Sequence, residues 1–305
     1  MTDFWIYYDN KQVAFIETFE KDEMGDSLKR LPDYPRKMVE LENPFINGIC
    51  KLPAEAMVSV SGSSTGTQIK YFFKNKWYKQ NRIGYEGMAE VLVSKVLSCS
   101  NLKEYVTYKN CCINGKKGCY SENFLKDNEN YLSLQRLYYL YYNRELVDSV
   151  RVIEHVNDKI QYVISFVKES IGLDIREYLG KMSTLDMLIL NTDRHFNNFG
   201  FISDKSANEY KMAPVFDNGN SLLSNIGEFP FEDSLEENIE KVIGQPFSAN
   251  LEIQAMESGF GLKINYQKLY KILEKEPKSR ALEVLKYQLK RYEKIIRDDD
   301  IEERK

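Results

Sequence analysis

The sequence predicts an α+β chain, strand-rich at the front and mostly helical behind, with the change of texture near residue 125. Three observations point there. Hydrophobic residues are 43% and charged residues 29% of the 305, the balance of an ordinary folded chain that is long enough to bury its own core. Ahead of residue 125, short apolar runs are punctuated by turn-formers such as Asp9-Asn10-Lys11 and Asn114-Gly115-Lys116-Lys117-Gly118. Behind it, apolar residues recur at the three-four spacing of a helix face. At roughly 150 residues per domain, the length suits two domains or one large bilobal one.

In order along the chain, Phe4 to Tyr8 and Val13 to Ile16 flank a turn and read as a hairpin. Residues 20 to 56 are mixed and interrupted by Pro32, Pro35, Pro44 and Pro53. Met57 to Val60 reads as a strand running into the polar loop Ser61 to Thr67, followed by strands at Ile69 to Phe73 and Trp77 to Lys79. Tyr85 to Leu97 reads as a helix, with Met88, Val91, Leu92 and Lys95 on one face. Tyr105 to Ile113 and Cys119 to Phe124 form a second hairpin signal. In the rear, Leu134, Leu137, Tyr138 and Tyr141 share a helix face, as do Leu282, Leu285, Leu289, Tyr292 and Ile296. Both stripes read as core faces. The tail, Arg297 to Lys305, reads as charged and frayed.

Composition closes several routes. The net charge is -4, which argues against a dedicated duplex-binding protein. Five cysteines without a CxxC pair argue against a disulfide framework and for reduced thiols in a cytoplasmic setting. Two histidines, His155 and His195, exclude a His-rich zinc site. The start lacks a basic segment followed by an apolar one, so no signal peptide is expected. No apolar run approaches the ~20 residues that span a bilayer.

The most informative stretch is Leu190-Asn191-Thr192-Asp193-Arg194-His195-Phe196-Asn197-Asn198-Phe199-Gly200, a polar loop after an apolar segment. Asp193 and Asn198 stand five apart. Phosphoryl transfer needs one carboxylate for the acceptor hydroxyl's proton and a hard oxygen ligand nearby for Mg²⁺, and kinase catalytic loops use this spacing. An Asx-rich turn between a helix and a strand is the bland alternative. The second stretch, Tyr210 to Asn220, shifts the balance. An apolar strand ends in Phe216-Asp217-Asn218-Gly219, where an Asp can bind the metal that bridges nucleotide phosphates.

The third element lies in front. Gly62, Ser63, Ser64, Thr65 and Gly66 form a small, polar loop between two strands. Its backbone can approach phosphate oxygens closely, although it is neither a Walker A loop nor GxGxxG. A flexible hairpin tip is the alternative there. A third strand then carries Lys79, and a helix carries Glu86 and Glu90. A lysine so placed can pair with nucleotide phosphates while a helix carboxylate orients it. Lys70 competes with Lys79, and Glu86 with Glu90. Lys79 fits the third-strand position, and Glu90 lies deeper in the apolar helix.

Asn191-Thr192-Asp193-Arg194-His195-x-x-Asn198-x-Gly200, followed by Ala213-Pro214-Val215-Phe216-Asp217-x-Gly219, resembles the HipA-like kinases, and within them the small CtkA type of Ser/Thr kinase. The run Ser61-Gly62-x-x-x-Gly66-x-Gln68-x-Lys70 is similar to their phosphate loop, and Tyr78 to Glu90 to their lysine strand and following helix. The likeness runs from about residue 57 to 223. It implies a bilobal protein-kinase-like fold, with a β-rich N-lobe over 1–124 and a mostly helical C-lobe over 125–305. It implies ATP and Mg²⁺, with Asp193 as catalytic base, Asn198 and Asp217 as metal ligands, and Lys79 on the phosphates. It places adenine against the backbone near Tyr120 to Phe124, including Glu122 and Phe124. It also implies autophosphorylation on the phosphate loop, where Ser61, Ser63, Ser64 and Thr65 are candidates. His195 either stabilises the transferring charge or packs beneath its loop. Asp-Arg-His-x-x-Asn is shared with phosphoinositide kinases.

The expected function is therefore an ATP- and Mg²⁺-dependent kinase acting on Ser or Thr of a protein. A lipid kinase is the nearest rival. Against it, Lys286, Lys290, Arg291 and Lys294 are interspersed with Glu283 and Glu293 and form no polybasic membrane-binding cluster. A non-catalytic nucleotide-binding module is the third reading. An antitoxin-type protein partner is compatible with the resemblance. The chain shows no helix-turn-helix of its own, so direct nucleic-acid binding is not expected.

Overall fold

The structure, a computed structural model, describes residues 2–8, 11–18, 45–46, 49–50, 57–59, 70–204 and 209–301. The chain divides into two compact units, Met1–Met88 with Thr107–Asn123, and Ala89–Val106 with Phe124–Lys305.

In the first unit, β1 (Thr2–Tyr8) and β2 (Lys11–Thr18) pair antiparallel, with Phe4 opposite Ile16. The main sheet has seven strands: β3 (Phe45–Ile46), β4 (Ile49–Cys50), β5 (Met57–Ser59), β6 (Lys70–Phe73), β7 (Lys76–Gln80), β8 (Tyr108–Ile113) and β9 (Lys116–Glu122). Their order is β3-β4-β8-β9-β7-β6-β5, antiparallel throughout except where β4 meets β8. Two-residue turns set the register. Lys74 and Asn75 have φ of 46° and 59°, and Asn114 and Gly115 have 48° and 81°. Two successive positive φ values make a turn whose twist matches the flanking strands.

That register decides which side chains share a face. Lys70 stands opposite Lys79, and Lys79 opposite Cys119. The neighbouring row, Tyr71-Tyr78-Tyr120, must point the other way. On that second face Phe73, Tyr78 and Ile113 are buried, with Tyr71, Cys111 and Tyr120 packed on them. Helix α1 (Glu86–Ser98) starts hard against the sheet. A Cβ at Gly87 would lie 2.7 Å from the Gly118 carbonyl carbon, and one at Gly118 would lie 2.1 Å from the Lys79 oxygen. Neither position admits a side chain without moving backbone.

The second unit contains an antiparallel sheet of β10 (Glu129–Ser133), β11 (Gly200–Asp204) and β12 (Glu209–Met212), in that order. Its helices among the described residues are the rest of α1, then α2 (Leu134–Tyr142), α3 (Leu146–Arg151), α4 (Val156–Ile171), α5 (Arg176–Ile189), α6 (Leu235–Glu240), α7 (Leu251–Glu257), α8 (Tyr266–Leu273) and α9 (Arg280–Ile296). α5 packs on α7 and α9, and α4 on α7. Leu185, Leu188 and Ile189 of α5 and Leu285 and Leu289 of α9 are wholly buried, so the core runs directly beneath the loop that follows α5.

The α+β class and most elements match the sequence reading. Four details differ. β10, at Glu129–Ser133, was not anticipated in the mostly helical rear. The strand before Asp217 ends at Met212; Pro214 has no N–H to give a ladder, and Val215 instead forms an isolated bridge with Tyr105. Tyr141 is 55% exposed while Leu134, Leu137 and Tyr138 are buried, because α2 stops at Tyr142 and its last turn overruns the core. The tail is held as far as Ile301: Asn265 Nδ2 donates to the carbonyls of Asp299 and Ile301, and Tyr266 N donates to the Asp299 carboxylate. Cys99, Cys111, Cys112 and Cys119 are all free.

Candidate active site

The site is built from the end of α5. The helix closes with Leu185-Asp186-Met187-Leu188-Ile189, every one buried. A carboxylate alone in such a place would be driven to neutrality. Asp186, fully buried, meets Arg194, which is 1% exposed. Arg194 Nε lies 3.1 Å from Asp186 Oδ2, Arg194 Nη2 lies 3.1 Å from Oδ1, and Asn191 Nδ2 lies 2.8 Å from the same Oδ1. Burial pushes the Asp186 carboxyl up, and the guanidinium and the Asn191 amide pull against it. Leu190 takes a left-handed φ of 56°, which turns the chain out of the helix and into the loop.

The same guanidinium reaches a second loop. Nη1 donates to the carbonyls of Asn198 at 3.3 Å and Phe216 at 2.9 Å, and Nη2 donates to Asn218 Oδ1 at 2.5 Å. One buried side chain thus ties residues 191–198 to residues 216–218. Further ties run alongside. Thr192 N donates to the Asn220 carbonyl at 3.0 Å, and Gln245 Nε2 donates to the Thr192 carbonyl at 2.8 Å. From β10, Tyr131 Oη donates to the Asn197 carbonyl at 2.9 Å, and at the β10–α2 junction Ser133 Oγ donates to Asn197 Oδ1 at 3.1 Å.

This scaffold brings Asp193, His195, Asn198 and Asp217 together. Burial pushes the Asp193 carboxyl above the usual carboxylate range; His195 opposes the shift and the Asp217 charge adds to it. Asn220 Nδ2 donates to Asp193 Oδ2 at 3.0 Å, while His195 Nε2 lies 3.8 Å from Oδ1. His195 Nδ1 accepts the Asn197 N–H, so a neutral imidazole carries its proton on Nε2, the nitrogen nearer Asp193. Asn198 Nδ2 donates to the Asp193 carbonyl at 3.0 Å, which leaves Oδ1 as the end offered to a ligand. Asp217 has a left-handed φ of 59°, a costly conformation for a residue with a Cβ. Asn198 Oδ1 and the Asp217 carboxylate are hard oxygen donors. They suit Mg²⁺, which takes one or two protein oxygens and leaves the rest of its shell to phosphate and water.

Glu90 belongs to this cluster. It is fully buried, and its Oε2 accepts the Asn218 N–H at 2.9 Å. Glu86 serves elsewhere: its carboxylate accepts the backbone N–H groups of Arg82, Ile83 and Gly84, closing the turn before α1. Phe124 packs against Phe216 at 5.6 Å between centroids, with Tyr131 edge-on to Phe216 at 5.4 Å.

In the first unit, Lys79 is 5% exposed. Its Nζ lies 3.3 Å from Tyr108 Oη and 4.8 Å from the centre of that ring. Glu122 pairs with Lys76 at 2.9 Å near the surface. Gly62, Ser63, Ser64, Thr65 and Gly66 lie outside the described residues, as does Ser61.

Asp186, Arg194, Asn218 and Asn220 were not anticipated as site residues. Asp186 had left one signal, a lone acid inside an otherwise apolar helix end. Beyond the loop, Gln245 and Phe247 line a cavity of about 540 Å³ with Val147, Val150, Arg151 and Lys159. No helix among the described residues is long and apolar enough to cross a membrane.

No protein-family model and no curated protein matches this chain. Among solved structures, it is similar to the Helicobacter pylori proinflammatory kinase CtkA, with 16% identity, a TM-score of 0.55, and 79% of this chain and 93% of that one covered. HipA, in a complex of the Shewanella oneidensis MR-1 toxin–antitoxin system with HipB and operator DNA, matches at 11% identity and a TM-score of 0.46, over 91% of this chain and 73% of that one. The choline kinase LicA of Streptococcus pneumoniae matches at 14% identity and a TM-score of 0.22, over 77% and 92%. The first of these likenesses establishes the architecture: the chain has an α+β fold similar to that of the kinase CtkA.

Proposed function

We propose that this protein is an ATP- and Mg²⁺-dependent kinase that phosphorylates Ser or Thr hydroxyls of a protein. The observation that carries the reading is the Arg194 clamp, which gathers Asp193, Asn198 and Asp217 from two separate loops. A single carboxylate for a proton, with two hard oxygens for a metal, is what phosphoryl transfer asks of a protein.

In this reading Asp193 accepts the acceptor's proton. The acceptor oxygen bonds to the γ-phosphorus, and the bond from that phosphorus to the β–γ bridging oxygen breaks. The electron pair of the broken bond leaves with ADP. Asn198 and Asp217 are the metal ligands, and bound Mg²⁺ would neutralise phosphate charge as the bond breaks. His195, with its proton on Nε2, flanks the Asp193 carboxylate and offers positive charge when protonated. Lys79 supplies the ammonium for nucleotide phosphates, with the Tyr108 ring supporting it by a cation–π contact. Glu90 fixes the backbone just after Asp217. Phe124 and Glu122 mark the adenine-facing segment, and Ser61, Ser63, Ser64 and Thr65 are the sites of autophosphorylation.

The test is transfer of the γ-phosphate from labelled ATP with Mg²⁺ to protein and to phosphoinositide acceptors, run beside Asp193→Ala and Asp217→Ala. The expected result is label on protein, falling by at least about 10³-fold in both variants. Label confined to phosphoinositide would make the chain a lipid kinase. Equal labelling by all three proteins would refute the assignment.

A further inference from the structure

The segment after Asp217 carries unusual backbone strain. Asp217, Leu222 and Leu223 all have left-handed φ, at 59°, 53° and 58°, and both leucines are buried. Such conformations persist only where the surroundings over-determine them. Here the surroundings are specific. Leu222 N donates to the Ile189 carbonyl at 2.7 Å, anchoring the segment on the end of α5. Ser221 Oγ donates to the Asn218 carbonyl and Ser224 Oγ to the Gly219 carbonyl, each at 2.6 Å.

These ties set residue 220 against residues 192 and 193. The Asn220 carbonyl accepts Thr192 N at 3.0 Å and Thr192 Oγ1 at 3.3 Å. Its side chain donates to Asp193 Oδ2 at 3.0 Å. A carboxylate can only accept, so the amide nitrogen must face it. The second torsion of an Asp side chain is broad and nearly two-fold, so an unrestrained Asp193 would present its two oxygens in many orientations. The Asn220 amide removes that freedom and leaves Oδ1, on the His195 side, for the acceptor.

Building on the kinase reading, we propose that Asn220 is the positioning residue of the catalytic carboxylate, holding one oxygen of Asp193 so that the other meets the acceptor hydroxyl. It acts on the chemical step through Asp193 and leaves nucleotide binding to the metal ligands. Misplacing a reacting group by an ångström costs on the order of 10²-fold in rate.

Two variants test this. Asn220→Ala removes the donor. Asn220→Asp keeps the shape, replaces the donor with an acceptor, and so sets a second carboxylate against the first. Each is assayed for kcat and ATP KM on dephosphorylated casein and on the chain itself, for Mg-ATP affinity by calorimetry, and for thermal midpoint. The expected result is a kcat lower by about 10²-fold in Asn220→Ala and at least as low in Asn220→Asp. ATP KM and affinity stay within about twofold, a split that a general structural defect would not produce. Two results overturn the proposal: an unchanged kcat in either variant, or ATP affinity falling in step with kcat. A wild type inert towards Mg-ATP would instead sink the kinase reading itself. An active wild type with an equally active Asn220→Ala would sink only the role of Asn220.

Discussion

Lys79 is buried and Asp193 half-buried, and the fold holds them in opposite ways. Lys79 sits mid-strand in β7, its place dictated by a ladder in which Lys70 and Cys119 lie on either side. Many backbone hydrogen bonds share the task, and no single side chain sets the register. Asp193 sits on an irregular loop, as do Asn198, Asp217 and Asn220. Those loops are held by one side-chain centre, the buried Asp186–Arg194 pair, and by residues in strained conformations. A ladder spreads its tolerance over a sheet. A side-chain hub concentrates precision, and with it vulnerability, in one guanidinium.

The largest expected effect follows from the hub. Arg194→Lys keeps the charge but loses the planar fork that reaches Asp186, Asn198, Phe216 and Asn218 together. Each buried acceptor left without its N–H costs about 1–3 kcal/mol. Urea unfolding should show a loss of that order, with phosphoryl transfer gone under conditions where the variant remains folded. A variant that retains activity would show that the two loops hold themselves.

A smaller loss is expected in the ladder. Gly118→Ala would put a Cβ about 2.1 Å from the Lys79 carbonyl, so β9 must shift from β7, at roughly 1–3 kcal/mol for overpacking. Because the strain is shared, the sheet should survive and ATP affinity should weaken rather than vanish. Complete loss of folding would mean that the ladder is as brittle as the hub.

The smallest effect separates polar burial from purpose. Gln288 on α9 is fully buried, and neither end of its amide finds a hydrogen-bond partner among the described residues. Asp186, buried in the same helical layer, has every partner it needs. Gln288→Met should therefore stabilise the protein by about 1 kcal/mol, since a buried polar group without a partner carries its desolvation cost uncompensated. A drop in the thermal midpoint would show that this amide has a use.

The residues proposed to act were more legible in the sequence than the residues that hold them. Asp193, Asn198 and Asp217 follow spacing that chemistry constrains, so a single chain displays them. The hub pairs residues on a helix end, the loop after α5 and a loop beyond β12. Such contacts leave no periodicity, only the oddity of one acid among apolar neighbours. Glu90 was placed by its depth in an apolar helix, and the bond it makes to Asn218 N lies 128 residues away, beyond the reach of local pattern. The strands and long helices followed their periods. Errors arose where tertiary limits override them: at Tyr141, where α2 outruns the core; at Pro214, where a ladder cannot continue; and in the tail, which α8 captures through Asp299.

The central claim is that two loops converge on one divalent cation at a nucleotide. Its most direct measurement is the electron spin resonance of Mn²⁺ titrated into the protein with and without ADP, for wild type, Asn198→Ala and Asp217→Ala. Tight Mn²⁺ binding that requires ADP, and that is lost in Asp217→Ala and weakened in Asn198→Ala, is the predicted result. Equal Mn²⁺ binding by all three proteins, or none with nucleotide present, would contradict it.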